Sequence, residues 1–271
     1  MSRVVESSYG LDVELAETNT VFSRLSALRN LEGNPEKVYI ESFGNAKAFI
    51  IKGIPDPYFN SVRGLTGEDI DQLDNIIDFY REHKVSCRFD LPPFVSSDLL
   101  FKLAERGYYQ SGFHSSMYQF TNTEFPELNK DNALEIREIE DDEFNCFGDI
   151  YTKAFKMPDF LAPAVTKNNL ILKDSIGWHF YLATYHKVPI AVAVLYVQDG
   201  MGSLAAAATL PSHQGRGCHS ALLAARIIKA KKLRCELVVG QARFDSVSQN
   251  NMKRFGLQLA YNKTIWKEMP K

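Results

Sequence analysis

The sequence lacks any surplus of charge: 31 lysines and arginines stand against 33 aspartates and glutamates, a formal net charge of −2 at pH 7. A chain so balanced has no general electrostatic hold on nucleic acid or on an anionic membrane, and neither is expected as a partner. Long apolar runs are missing too. The strongest, Ile190 to Val197, falls far short of the roughly 20 residues that span a bilayer. The first residues, Met1-Ser2-Arg3-Val4-Val5-Glu6, hold no apolar core of the kind a signal peptide needs. A cytosolic location is the expectation. Cysteine is sparse, and Cys87, Cys146, Cys218 and Cys235 show neither metal-ligand spacing nor a disulfide framework, so reduced thiols and no metal are expected.

What is present is a globular composition, 45% hydrophobic over 271 residues, long enough for two modest domains. Phe120 to Ala133 is polar, holds Pro126 and breaks the periodicity on either side, so it reads as a linker. The expected division is 1–120, 121–133 and 134–271. After the linker, Leu134, Ile136 and Ile139 alternate as a short strand. Phe144, Phe147, Ile150, Tyr151 and Phe155 then recur at helical spacing. A second helix is expected over about Val165 to Leu172. Trp178 to Tyr185 and Ile190 to Val197 form a hairpin, extended past the Asp199-Gly200 turn by a third strand, Met201 to Leu210. A helix from Gly217 to Lys232, with Leu222, Leu223, Ile227 and Ile228 inward, precedes a strand, Cys235 to Ala242. Two helical turns from Ser248 to Phe255, closed by Gly256, lead to a last strand, Leu257 to Trp266. The first half echoes this ending: strand Val85 to Leu91, helix Ser97 to Arg106, cap Gly107, then one or two strands from Tyr108 to Phe120. That order points to a degenerate internal duplication.

Chemistry concentrates in Leu210-Pro211-Ser212-His213-Gln214-Gly215-Arg216-Gly217-Cys218-His219-Ser220. The stretch follows an apolar strand and opens an amphipathic helix. Successive backbone N–H groups there converge on one point, with the positive end of the helix dipole behind them, which is an anion site. Gly215 and Gly217 let the backbone approach a phosphate without a Cβ in the way. Arg216 either adds charge to a second phosphate or is a solvated loop arginine. Two common phosphate loops are excluded. A Walker loop needs Lys and then Ser or Thr after its last glycine, where this chain has Cys218-His219, and a dinucleotide fingerprint needs a third glycine where Ser220 stands.

On these residues the chain from Leu134 to Trp266 resembles a GCN5-related N-acetyltransferase (GNAT) domain, whose hallmark is Q/R-x-x-G-x-G/A. Gln214, Gly217 and the position of His219 fall on it. The resemblance implies an α/β fold of two GNAT-like domains, each a mixed, mostly antiparallel sheet flanked by helices. The first half resembles the decayed copy of tandem members and has no glycine loop, so no cofactor is assigned to it. The resemblance further implies acetyl-CoA as co-substrate, its diphosphate on Gln214, Gly215, Arg216, Gly217, Cys218, His219 and Ser220. Its pantetheine would lie between splayed strands near Leu210, and a small-molecule or peptide amine would be the acceptor. His219 replaces a small residue and either crowds the diphosphate or turns away.

Family members often carry a tyrosine acid four residues before the helix-ending glycine; Met252 stands there. No carboxylate occupies Met201 to Leu210 to serve as a base. Polar candidates at the start of the next helix are Ser246, Ser248, Gln249 and Asn251. Capping is the plainer reading of the serines, and Asn251 is a candidate pantetheine contact. Ser248 and Asn251 are also the candidates for catalysis. Tyr261 and Trp266 suit a core or a substrate wall, His213 borders the cradle, and His179 and Asp159 are open to an acceptor-side or a structural role. A CoA-binding module without turnover is the alternative function. Oligomeric state is not legible.

Overall fold

The computed structural model describes residues 7–54, 56–124, 126 and 131–270. The elements run α1 (Ser7–Arg29), β1 (Val38–Phe43), β2 (Ala46–Ile51), β3 (Val62–Arg63), α2 (Leu73–Glu82), β4 (Arg88–Leu91), α3 (Ser97–Glu105) and β5 (Tyr108–Phe120). They continue as β6 (Leu134–Glu138), α4 (Phe144–Ala154), α5 (Ala162–Lys173), β7 (Trp178–Tyr185), β8 (Val188–Gln198) and β9 (Met201–Thr209). The chain ends with α6 (Cys218–Lys232), β10 (Leu237–Arg243), α7 (Val247–Phe255) and β11 (Gln258–Glu268). The architecture is mixed α/β with mostly antiparallel strand pairing, and each half has the expected order of strand, helix, glycine and strand. No helix among the described residues is long and apolar enough to cross a membrane.

Contacts gather the chain into two compact units that are not continuous in sequence. The first comprises Met1–Ser116, Ala242–Phe244 and Ala260–Lys271; the second comprises Met117–Gln241 and Asp245–Leu259. These boundaries differ from a division at 121–133, part of which lies outside the described residues. Most of β11 belongs to the first unit, although its sequence continues the second half. It pairs antiparallel with β4, Thr264 opposite Leu91 and Trp266 opposite Phe89.

In the first unit the strand order is β1-β2-β3-β4-β11-β5. Leu73, Ile76 and Tyr80 of α2 and Leu99 and Leu103 of α3 pack with Ile50, Phe89 and Leu91 into one apolar core. Beside it α1 brings polar groups inward. Glu14 and Glu17 are buried while Leu11, Leu15 and Phe22 are exposed. Lys263 of β11 lies 2.7 Å from Glu14 and also pairs with Glu17, and the Tyr261 hydroxyl donates to Glu14 at 2.9 Å. Arg63 reaches Asp90 at 3.4 Å and Glu17 at 3.9 Å, and Arg88 grips Asp90 through two hydrogen bonds. Burial alone would favour the neutral forms of Arg63 and Lys263; Tyr58 and then the facing carboxylates outweigh it at Arg63, Glu14 and Glu17 outweigh it at Lys263, and both cations are held more firmly charged.

In the second unit the order is β10-β9-β8-β7-β6. The register puts Phe180, Val194 and Ala206 on one sheet face, and Glu138, Tyr181, Ala193 and Ala207 on the other. Phe144 and Phe147 of α4 pack on Phe180, which places α4 on the first face. Lys229 of α6 pairs with Glu138 at 2.7 Å, which places α6 on the second. Alanines floor that second face, and Gly202 has no Cβ to hold off Ala230 of α6.

Candidate functional site

Two strands of the second unit begin together and part. β9 and β10 are parallel and pair over only three positions, Met201 with Leu237, Gly202 with Val238 and Ser203 with Val239. Beyond Ser203 the edge of β9 has no strand beside it within its unit. Ala205, Ala206 and Ala207 are accordingly half-exposed, whereas their neighbours Ala193 and Val194 on β8 are fully buried. The parting starts at a bulge. Val194 faces Ala206 and Tyr196 faces Ser203, so Leu204 and Ala205 together oppose Leu195.

The open edge leads into the loop before α6. Leu210 is still tied to the sheet, its N–H donating to Ile190 O at 2.9 Å. A 3₁₀ turn, Pro211–His213, then reverses the chain. Gly215 and Gly217 have φ of +80° and +78°, and a Cβ added at either would meet nothing within 4 Å. Open space thus surrounds two glycines that the left-handed backbone selects. Gly217 is the N-cap of α6, and it has no side chain with which to cap. The other site-forming helix, α7, is capped by Ser246, whose Oγ accepts from Gln249 N at 3.2 Å. The first turn of α6 therefore presents N–H groups uncapped by any side chain, at a loop where Gln214, Arg216 and Gly217 are exposed. That arrangement suits an anion.

Arg216 has a partner: its guanidinium carbon lies 5.0 Å above the Tyr185 ring, which also meets His213 edge-on at 6.2 Å. Cys218 turns inward and is buried, and burial pushes its thiol up. His219 turns inward as well. Its Nδ1 is buried without a hydrogen-bond partner, and burial, then Arg226, push the ring down to about 4.

Arg226 overturns the apolar pattern expected for α6. It is buried to 1% exposure while Ile228, expected inward, is 44% exposed, because residue 226 lies one turn from Leu222 and 228 lies round the helix. Its Nε donates to Leu222 O at 3.0 Å, and its Nη1 donates to Val194 O at 3.2 Å and to Ala206 O at 3.1 Å. No carboxylate pairs with it among the described residues. Burial draws its pKa down to about 10, opposed by Tyr181, whose hydroxyl is itself buried without a partner.

Similarity to known proteins lies in the structure. No protein-family model and no curated protein matches the sequence. The structure is similar to a GCN5-related N-acetyltransferase from Kribbella flavida, with a TM-score of 0.62 at 13% identity over 92% of this chain and 96% of that one. One from Sphaerobacter thermophilus gives 0.60 at 14% identity, over 90% and 84%. A tandem GNAT protein from the clavulanic acid biosynthesis pathway gives 0.63 at 10% identity, over 94% and 96%. The chain has the tandem GNAT fold. At such identities the likeness concerns the fold alone.

Within the GNAT fold, the residues singled out in sequence separate into groups. Leu210, Gln214, Gly215, Arg216, Gly217, Cys218, His219 and Ser220 are contiguous around the start of α6. Asn251 and Ser248 lie on α7; Asn251 is half-buried and accepts from Arg254 at 3.1 Å, while Ser248 is exposed. Ser246 and Gln249 close the start of that helix, with the Gln249 side chain accepting from Asp245 N at 2.6 Å. Met252 is buried. A Cβ at Gly240 would touch its sulfur at 3.0 Å and Leu204 at 3.3 Å, so a thioether fills the position where an acid was sought. His179 is on the α6 face and Asp159 is exposed beside α4 and α5, so the two are not brought together. Tyr261 and Trp266 belong to the first unit, Tyr261 in its core. The sequence reading missed Arg226, and the only signal was an arginine at an inward helical position.

Proposed function

We propose that the chain is an N-acetyltransferase, moving an acetyl group from acetyl-CoA to a primary amine of a small molecule or peptide. The observation that carries this reading is the continuity, within a GNAT fold, of a half-paired strand edge with an uncapped helix start. β9 offers free main-chain groups past Ser203, and they run directly into the glycine-lined start of α6. On this reading the amides from Gln214 to Ser220 hold the diphosphate, and Arg216 adds charge. The pantetheine lies along β9 from Leu210, with Asn251 as a further contact. The cofactor site lies in residues 134–271, and the first 120 residues hold none.

The residues then do the following. A β9 amide N–H donates to the thioester oxygen, and the deprotonated amine attacks the carbonyl carbon. The tetrahedral oxyanion collapses, breaking the C–S bond, and the thiolate leaves and is protonated. A preorganised amide of this kind contributes about 3 kcal/mol of barrier lowering. Met252 is no acid, so solvent water carries the protons and positioning supplies the remaining acceleration. That same Met252, together with a β9 that carries no carboxylate, favours a second reading: a module that binds a CoA-type ligand without turning it over.

Two measurements separate the readings. Thermal unfolding with CoA should show stabilisation that grows with ligand concentration, about 2.7 kcal/mol at 100 times Kd. Thiol release from acetyl-CoA with a panel of amines then distinguishes transfer from binding alone. Gly217→Leu strains a left-handed position by about 1–2 kcal/mol and fills the cradle. It should leave the circular dichroism spectrum unchanged and cut CoA affinity at least about 10-fold, which is 1.4 kcal/mol. Near-normal affinity in that variant would sink the cradle assignment.

A further inference from the structure

Arg226 holds two carbonyl oxygens with one nitrogen, and those oxygens belong to residues that face each other across β8 and β9, Val194 and Ala206. Two oxygens that a single Nη1 reaches at 3.2 and 3.1 Å must point toward each other, into the strand pair. No peptide among the described residues is cis. In a trans peptide the C=O and the following N–H point in opposite directions. With Ala206 O directed toward β8, the Ala207 N–H is therefore directed away from it, to the edge of β9 that, among the described residues of its unit, has no strand beside it past Ser203. Arg226 also acts at a chosen place: Ala206 is the first paired residue beyond the bulge at Leu204 and Ala205, where β9 leaves β10.

The guanidinium has no counter-ion among the described residues, and the two side chains with which it interacts leave its charge intact. Tyr181 is held in its neutral form, chiefly by burial, and the His219 ring is neutral near pH 7. A buried cation without a carboxylate is expensive, and an apolar side chain of similar size would pack there at less cost. What the cation supplies is a charged donor to the Ala206 carbonyl. Drawing electron density toward that oxygen polarises the amide it belongs to and makes the Ala207 N–H a stronger donor.

We propose that Arg226 is a positioning residue for acyl transfer, acting through the Ala206–Ala207 peptide so that the Ala207 N–H is aimed and polarised to donate to the thioester oxygen. The inference rests on the acetyltransferase reading, but its first half concerns the protein without ligand.

The test uses the full chain and the variant Arg226→Gln, which keeps a donor and removes the charge. In the ligand-free protein, the NMR signal of the Ala207 amide proton should move upfield relative to wild type. With acetyl-CoA labelled with ¹³C at the carbonyl, the downfield shift of the bound carbonyl should shrink. CoA affinity and the KM for acetyl-CoA should stay within about 3-fold while kcat falls about 10- to 100-fold. Arg226→Lys keeps the charge but loses the Nε donor to Leu222 O that fixes the side chain, and should restore part of kcat. If the glutamine variant does not fold, Arg226→Met stands in, since it removes the charge and fills the site with an apolar side chain of similar size; an Ala207 signal unmoved in that variant overturns the proposal equally. An unmoved Ala207 signal in a folded variant, or a loss confined to KM, overturns it as well. If wild type binds no acetyl-CoA, the acetyltransferase reading fails and the proposed role in transfer fails with it. The ligand-free Ala207 signal separately decides whether Arg226 polarises that amide.

Discussion

Arg63 and Arg226 are both buried guanidinium groups, one in each unit, and they are held by different chemistry. Arg63 sits among Glu17 and Asp90 with Lys263, Glu14 and Arg88 close by, three carboxylates against three cations. Arg226 has main-chain carbonyls only. The first unit thus answers its buried charge within itself. The second leaves an uncompensated cation, an unpartnered Tyr181 hydroxyl, an unpartnered His219 nitrogen, an uncapped helix and a half-paired strand. Among the described residues the first unit leaves small hydroxyls unpartnered, at Thr18 and Ser26, whereas the open groups of the second unit lie in the half with the glycine loop.

Breaking the balanced cluster should produce the largest effect. Lys263→Met leaves Glu14 and Glu17 buried without the cation they share, and should cost about 3–5 kcal/mol. Urea unfolding followed by hydrogen exchange should find the loss in the first unit; a cost under about 1 kcal/mol would show that the cluster contributes little. In the second unit, Met252→Ala opens a cavity between α7, Leu204 and Gly240 and should cost about 2–5 kcal/mol. Turnover per folded molecule should stay within a few-fold, and a collapse of rate without unfolding would give that position a chemical role.

Acid sharpens the same contrast. His114 in the first unit and His219 in the second are each pushed down to about 4, by burial foremost. Asp90 opposes the shift at His114, while Arg63, Lys263 and Arg88 add to it; at His219 Arg226 adds to it. The unfolded chain takes up these protons near pH 6.5 and the folded protein only near pH 4. Both units should therefore lose stability as the pH falls through that window, each histidine contributing on the order of 1–3 kcal/mol. Unfolding of His114→Gln and His219→Gln between pH 7 and 4 checks this: each should flatten the acid slope of its own unit alone. Smallest are the caps. Ser96→Ala and Ser246→Ala each remove the side-chain acceptor at a helix start, from Leu99 N and Gln249 N, and should each cost about 1 kcal/mol by denaturant midpoint. Equal costs would support the equivalence of the two strand, helix and glycine segments.

Much of the second half was legible because its signals are local. The Asp199-Gly200 turn, Gly256 at φ +112° after α7, and the glycines before α6 each report a backbone requirement that depends on a few neighbouring residues. The glycine loop before α6 is legible for the same reason. α1 was not legible: it turns Glu14, Glu17 and Thr18 inward and Leu11, Leu15 and Phe22 outward, the reverse of the pattern that periodicity looks for. Its carboxylates are tolerable inside only because β11, some 250 residues later, delivers Lys263 and Tyr261 to meet them.

By itself, then, the sequence determined the order of helices and strands from 134 onward, the stops and caps, and the loop from Gln214 to Ser220. Those depend on propensity, steric freedom at φ > 0 and capping, which act over a few residues. Only the tertiary structure decided which unit β11 completes, that β9 parts from β10 after Ser203, and that Arg226 lies beneath the bulge. Each of these depends on hydrogen bonds and burial between residues far apart in the chain, and no local pattern records which partner a strand or a buried charge will find.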